Sequence, residues 1–246
     1  ADSGPPPVFM GIKPAAKKPA GFVDKGGAMG AWWPMWGASS WSPVTADFNH
    51  DGHDDVLLSV GVNLGKKWAE QLAASCGSDG PGVTYFPKMP SIDVLLESTP
   101  TGYKASRLES GEHSNFTIIE QRLIDLDGDG DLDVVQTRPG PPPATSSFVR
   151  ILRNDLVKSG KSCRVIIQGK GANQDALGTV ITAKIGGQLV TRWLNGGSYG
   201  ATRIRRAHFG LGAASKATDV TIRWPDGKEL KLGAVNAGET KTVIWK

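Results

Sequence analysis

The segment Asp125-Leu126-Asp127-Gly128-Asp129-Gly130-Asp131-Leu132-Asp133 runs straight into Val134-Val135-Gln136-Thr137. The same grammar occurs earlier, as Asp47-Phe48-Asn49-His50-Asp51-Gly52-His53-Asp54-Asp55 followed by Val56-Leu57-Leu58-Ser59-Val60. Both fit D-x-[DN]-x-D-G-x-x-D. Oxygens at positions 1, 3 and 5 can curl around one hard cation, and glycine at position 6 permits the sharp turn. Position 7 then offers its carbonyl and position 9 a closing carboxylate. Without an ion, carboxylates crowded into nine residues repel one another. Two loops with one grammar therefore predict two Ca2+ sites. The expected ligands are Asp47, Asn49, Asp51, Asp55 and the His53 carbonyl, then Asp125, Asp127, Asp129, Asp133 and the Asp131 carbonyl.

The flanks decide the kind of loop. An EF-hand carries a bidentate glutamate at loop position 12 and a helix on each side. Here that position holds Leu58 or Gln136, and β-branched runs follow. These are strand-to-strand loops, closed by Asp55 and Asp133. Hard calcium does not favour imidazole, so the side chains of His50 and His53 are expected to be exposed. The second loop has four ligand carboxylates against three in the first and is expected to bind more tightly. Ion binding would add about 2.7 kcal/mol per site at a hundredfold excess over Kd.

Outward from the loops the pattern stays β. Ile92–Leu96, Phe116–Ile119 and Phe148–Leu152 read as strands, and Pro139-Gly140-Pro141-Pro142-Pro143 reads as a long hairpin tip. Leu64, Trp68 and Leu72 recur at i, i+4 and i+8, which predicts one short helix. From Lys161 onward strands follow closely. Ile181, Ala183 and Ile185 alternate with polar residues before the Gly186-Gly187 turn, and Val220, Ile222 and Trp224 alternate before Pro225-Asp226-Gly227. That spacing predicts a compact β-sandwich or barrel.

The first forty residues are rich in Gly and Pro, with only short apolar islands at Val8–Met10 and Gly21–Val23, and predict an extended arm. Trp32, Trp33 and Trp36 lie close together there, either as core packing or as an aromatic platform for a glycan or partner chain. With 39% hydrophobic and 21% charged residues, the chain is neither disordered nor a coiled coil. No apolar run reaches the roughly 18 residues of a membrane-spanning helix. The net charge of +4 is spread without a Lys/Arg block, so no nucleic-acid partner is expected. Cys76 and Cys163 form no C-x-x-C, which argues against zinc knuckles and thioredoxin-like chemistry. They could close a disulfide, worth roughly 4.5 kcal/mol in the chain-entropy picture, or remain two buried thiols.

The acidic loops resemble those of FG-GAP/VCBS repeats, the blade units of integrin-like β-propellers. The C-terminal part resembles the ASPIC/UnbV domain. Gly171–Val180 is similar to its opening segment, His208-Phe209-Gly210-Leu211-Gly212 to its H-F-G-L-G signature, and Ile222-Arg223-Trp224-Pro225-Asp226-Gly227 to its V-x-W-P-[SD]-G turn. Gln174 and Thr179 depart from the usual Arg and Ala of that opening segment. The pairing is that of secreted proteins similar to cartilage acidic protein. The resemblance implies an all-β fold: two propeller-like calcium-binding blades and a C-terminal β-sandwich or barrel. With the arm and the helix, the organisation is 1–40, 41–158 and 159–246. A closed propeller takes about four to eight blades, so two leave strand edges to be covered.

No G-x-S-x-G elbow or H-E-x-x-H is present, and the four histidines are His50, His53, His113 and His208. An enzyme is not expected. The expected function is that of a calcium-stabilised, extracytoplasmic structural module that associates with other protein chains, by self-assembly or within a membrane-peripheral complex. The alternative is a carbohydrate-binding or matrix-adhesion module using Trp32, Trp33 or Trp36.

Overall fold

The computed structural model describes residues 9–12, 21–24, 42–60, 92–108, 120–139, 147–156, 160–196, 201–202 and 206–245. The segments expected to supply the short helix around Leu64–Leu72, the strand at Phe116–Ile119, the Trp32, Trp33 and Trp36 cluster, and Cys76 lie outside the described residues. Among the described residues all regular structure is β, with no helix. In chain order the strands are β1 (Phe9–Ile12), β2 (Gly21–Asp24), β3 (Val44–Ala46), β4 (Asp55–Val60), β5 (Ile92–Thr99), β6 (Gly102–Leu108), β7 (Glu120–Ile124), β8 (Asp133–Pro139) and β9 (Ser147–Leu152). They continue as β10 (Lys161–Gln168), β11 (Val180–Ile185), β12 (Gln188–Trp193), β13 (Ala201–Thr202), β14 (Arg206–Gly212), β15 (Lys216–Arg223), β16 (Glu229–Asn236) and β17 (Thr240–Ile244). None of the sheets closes on itself.

The chain divides into two compact units. The first comprises Ala1–Pro43, Val56–Ile119 and Arg138–Phe148. Within it, β1 and β2 pair antiparallel, Phe9 opposite Asp24 and Ile12 opposite Gly21. The arm expected to be extended thus contains a two-stranded sheet; islands of four residues are too short to display an alternating pattern. Strand β5 pairs antiparallel with β4 and β6, Leu95 lying opposite both Leu57 and Ser106. Val94 and Leu96 are buried, with Val56, Leu58, Tyr103 and Ala105 packed against them. The Ser59 hydroxyl donates to the buried Asp93 carboxylate at 2.5 Å, so this polar pair costs little inside the sheet.

The second unit comprises Val44–Asp55, Glu120–Thr137 and Val149–Lys246, so both acidic loops fold with the C-terminal segment. Its core lies between a three-stranded sheet, β14-β10-β17, and a four-stranded one, β12-β11-β15-β16. Alternation aims Cys163, Val165 and Ile167 of β10 and Ile181, Ala183 and Ile185 of β11 into this core, with Phe209 and Leu211 of β14 and Val220 and Ile222 of β15. Each large apolar side chain buried there contributes about 1.5–3 kcal/mol. The turn between β11 and β12 uses Gly186 and Gly187 at φ +55° and +87°, the left-handed pair that a two-residue hairpin demands. Strands β8 and β9 are neighbours in the sheet β13-β7-β8-β9, as expected for strands joined through the proline run.

Candidate metal centre

Both loops connect strands. Loop 1 runs from the end of β3 to Asp55, the first residue of β4; loop 2 is the tip of the antiparallel β7–β8 hairpin, with Ile124 opposite Asp133. They share one hydrogen-bond scheme. The position-9 carboxylate accepts from the position-2 N–H: Asp55 from Phe48 at 3.1 Å, Asp133 from Leu126 at 2.9 Å. The position-1 carboxylate accepts from the position-6 glycine: Asp47 from Gly52 at 2.9 Å, Asp125 from Gly130 at 3.4 Å. Position 3 accepts from position 5, Asn49 from Asp51 and Asp127 from Asp129. Position 5 accepts from position 7, Asp51 from His53 and Asp129 from Asp131. Short acidic side chains bonding to amides two residues on curl the backbone tightly, and this curl turns the alternate side chains inward.

The curl also requires left-handed backbone at two positions. Position 6 is Gly52 at φ +94° or Gly130 at +105°; position 4 is Gly128 at +81° or His50 at +58°. Histidine tolerates this region better than most residues but at a cost that glycine avoids. From sequence the His50 and His53 side chains are both expected in solvent. His53 is exposed, but His50 is only 2% exposed. The imidazole packs against the His208 ring with centroids 4.9 Å apart, its Nδ1 3.7 Å from Asp131 Oδ1. The clue available in the sequence was the alignment of His50 with Gly128.

Strands β10 and β14 hold both loops. The Gly212 N–H donates to the His50 carbonyl at 2.7 Å. A Cβ on Gly210 would overlap the Asp47 carboxylate and stand 2.8 Å from the His50 Cα, and one on Gly160 would stand 2.7 Å from the carbonyls of Asn49 and His50. In loop 2 the Gly130 carbonyl receives the Ser162 hydroxyl at 3.3 Å and faces His208 Nε2 at 3.2 Å. A carbonyl only accepts, so Nε2 of His208 carries the ring proton. Arg164 Nη1 pairs with Asp125 Oδ2. Arg192 forks onto Asp54 at 2.8 and 3.1 Å while its Nε donates to the His208 carbonyl at 2.7 Å. Asn154 joins the loops, its N–H to Asp133 and its side-chain amide to the Phe48 carbonyl. Sequence reasoning missed Arg164, Arg192 and Asn154 entirely. Nothing local marks a partner that lies so far along the chain.

The charge balance favours a cation. Burial pushes the Asp47 carboxyl up to about 7, reinforced by Asp51, Asp55 and Asp54 against the Gly52 N–H. Burial together with Asp129, Asp133, Asp125 and Asp127 pushes Asp131 up to about 6. The histidines move the other way: burial and the neighbouring His50 take His208 down to about 3, and burial lowers His50. Both imidazoles are therefore neutral at pH 7 and supply no positive charge.

The donor set fits a hard divalent ion. Asp125, Asp127 and Asp129 each bring an oxygen within 4.8 Å of the others, close enough to share one cation. Loop 1 repeats the hydrogen-bond scheme with Asn49 at position 3. Oxygen ligands alone, without thiolate or aimed imidazole, suit calcium better than zinc or copper. Such an ion would neutralise the crowded carboxylates and tie β3 to β4 and β7 to β8. Elsewhere, Cys163 is a free, buried thiol on β10, and its candidate disulfide partner, Cys76, lies outside the described residues.

Residues 169–245 match the family described as ASPIC and UnbV. This span contains the strands β11 to β17, including the signature strand β14 that holds the loops. No curated protein matches the chain.

Proposed function

We propose that this protein is a non-catalytic, calcium-binding module of the exterior, with FG-GAP/VCBS-like loops, that works by association with other protein chains. The observation that carries the reading is the shared scheme of the two loops: four equivalent hydrogen bonds in each, with three carboxylates of loop 2 converging. The titratable groups nearby serve structure. The carboxylates accept from loop amides, and His50 and His208 are buried and neutral. Extracellular calcium modules work at affinities of about 10⁻⁴ to 10⁻³ M, which suits loops whose ions hold strands together.

Association is supported by apolar side chains on edge strands. Val149 and Ile151 on β9 are 66% and 51% exposed, and Leu189 and Trp193 on β12 are 68% and 62% exposed. Exposed edges carrying large apolar residues are templates for further chains. Sedimentation of the full chain in millimolar calcium tests this. Species above the 26.0 kDa monomer are expected, returning to monomer in Val149→Lys or Leu189→Lys. A monomer under all conditions contradicts the self-assembling form of the reading.

A further inference from the structure

Loops 1 and 2 share ligand grammar but differ in what faces position 1. Asp47 is 1% exposed and accepts from the Asp51 and Gly52 amides, and no Lys or Arg pairs with it among the described residues. Asp125 instead meets the Arg164 guanidinium, with Arg164 and Asp125 side chains 19% and 4% exposed. Ser162, on the same face of β10 as Arg164, donates to the Gly130 carbonyl. A Cβ on Gly130 would stand 3.8 Å from Arg164 Nη2, so the guanidinium lies over the turn itself. A guanidinium keeps its charge at every accessible pH and remains a fixed cation.

We infer that Arg164 is a built-in counter-cation of loop 2, which holds the loop in shape without calcium and weakens the calcium site that its carboxylate count would otherwise make the stronger of the two. The inference rests on the calcium reading of the loops. Calcium entering loop 2 must share Asp125 with a cation already there, and two positive charges a few ångströms apart in a partly buried site oppose each other. Loop 1 has one carboxylate fewer, and the Arg192 guanidinium meets it at Asp54, outside the expected ligand set. Arg164 thus offsets the advantage of Asp127 over Asn49, so loop 2 binds calcium more weakly than its ligand charge alone would give.

The test uses the full chain with loop 1 silenced by Asp51→Asn. Calcium chloride is titrated calorimetrically into that variant and into Asp51→Asn/Arg164→Met. The neutral, similarly sized Met should tighten the remaining site about tenfold. It should also lower the melting temperature in chelator more than in millimolar calcium. Arg164→Lys, which keeps a charge without the planar fork, should fall between. An unchanged or weaker site in Arg164→Met overturns the inference, as does failure of that variant to fold even in calcium, since Arg164 would then be a structural brace only. A parent chain that takes up no calcium removes the calcium reading and the inference together. Unchanged affinity in a chain that does bind calcium removes the inference alone.

Discussion

The side-chain amide of Asn154 donates to the carbonyl of Phe48 at 2.9 Å, across 106 positions of the chain. The backbone N–H of the same residue donates to Asp133 at 2.8 Å. Position 2 of one loop and position 9 of the other are thereby held by one buried residue, 7% exposed. Asn154→Ala should leave the Phe48 carbonyl without its partner and cost about 1–3 kcal/mol. Urea unfolding in calcium measures this, and a variant within about 0.3 kcal/mol of the parent would show that the bridge contributes nothing.

Gly210 is where β14 comes closest to loop 1. An added methyl would overlap the Asp47 carboxylate, so Gly210→Ala should destabilise by about 1–3 kcal/mol and weaken calcium binding at loop 1. Gly196 has open space around the equivalent point, and Gly196→Ala should change stability by no more than about 0.5 kcal/mol. Thermal melts of the two variants side by side decide whether close approach at Gly210, rather than loss of a glycine as such, is what matters.

Both acidic loops are legible in the sequence because their grammar is local: every ligand position and the turn glycine fall within nine residues. Strands β4, β8, β11, β12 and β15 are legible for the same reason, since alternation and turn residues are short-range signals. The seating of the loops is not. Arg164 meets Asp125 and His208 meets Gly130 only because β10 and β14 fold back over the loops, and no spacing rule encodes that. The burial of His50 escapes a reading that asks only what coordinates calcium, because position 4 is set by backbone handedness and not by ligation. The H-F-G-L-G segment reads as a family signature, but its glycines make sense only once Gly210 and Gly212 are seen against Asp47, His50 and Asp51.

Cys163 gives a prediction at alkaline pH that does not involve the loops. Burial pushes its thiol up to about 11, reinforced by Glu239 and opposed by the Ala217 N–H. As pH rises past about 9, the unfolded chain loses its thiol proton first while the native chain keeps it. The native state then binds more protons, so stability falls with pH between about 9 and 11, by at most about 1.4 kcal/mol per unit from this group. Denaturant melts from pH 8 to 10.5 should show a steeper loss in the parent than in Cys163→Ala. Parallel curves would contradict it.

Two loops of one grammar are proposed to hold one calcium ion each. Calorimetric titration of calcium chloride into the chelator-stripped full chain tests this most directly, with Asp51→Asn and Asp129→Asn assigning the sites. Two ions per chain are expected, one lost in each variant. Absence of binding, or two-ion uptake that survives both substitutions, would contradict the proposal.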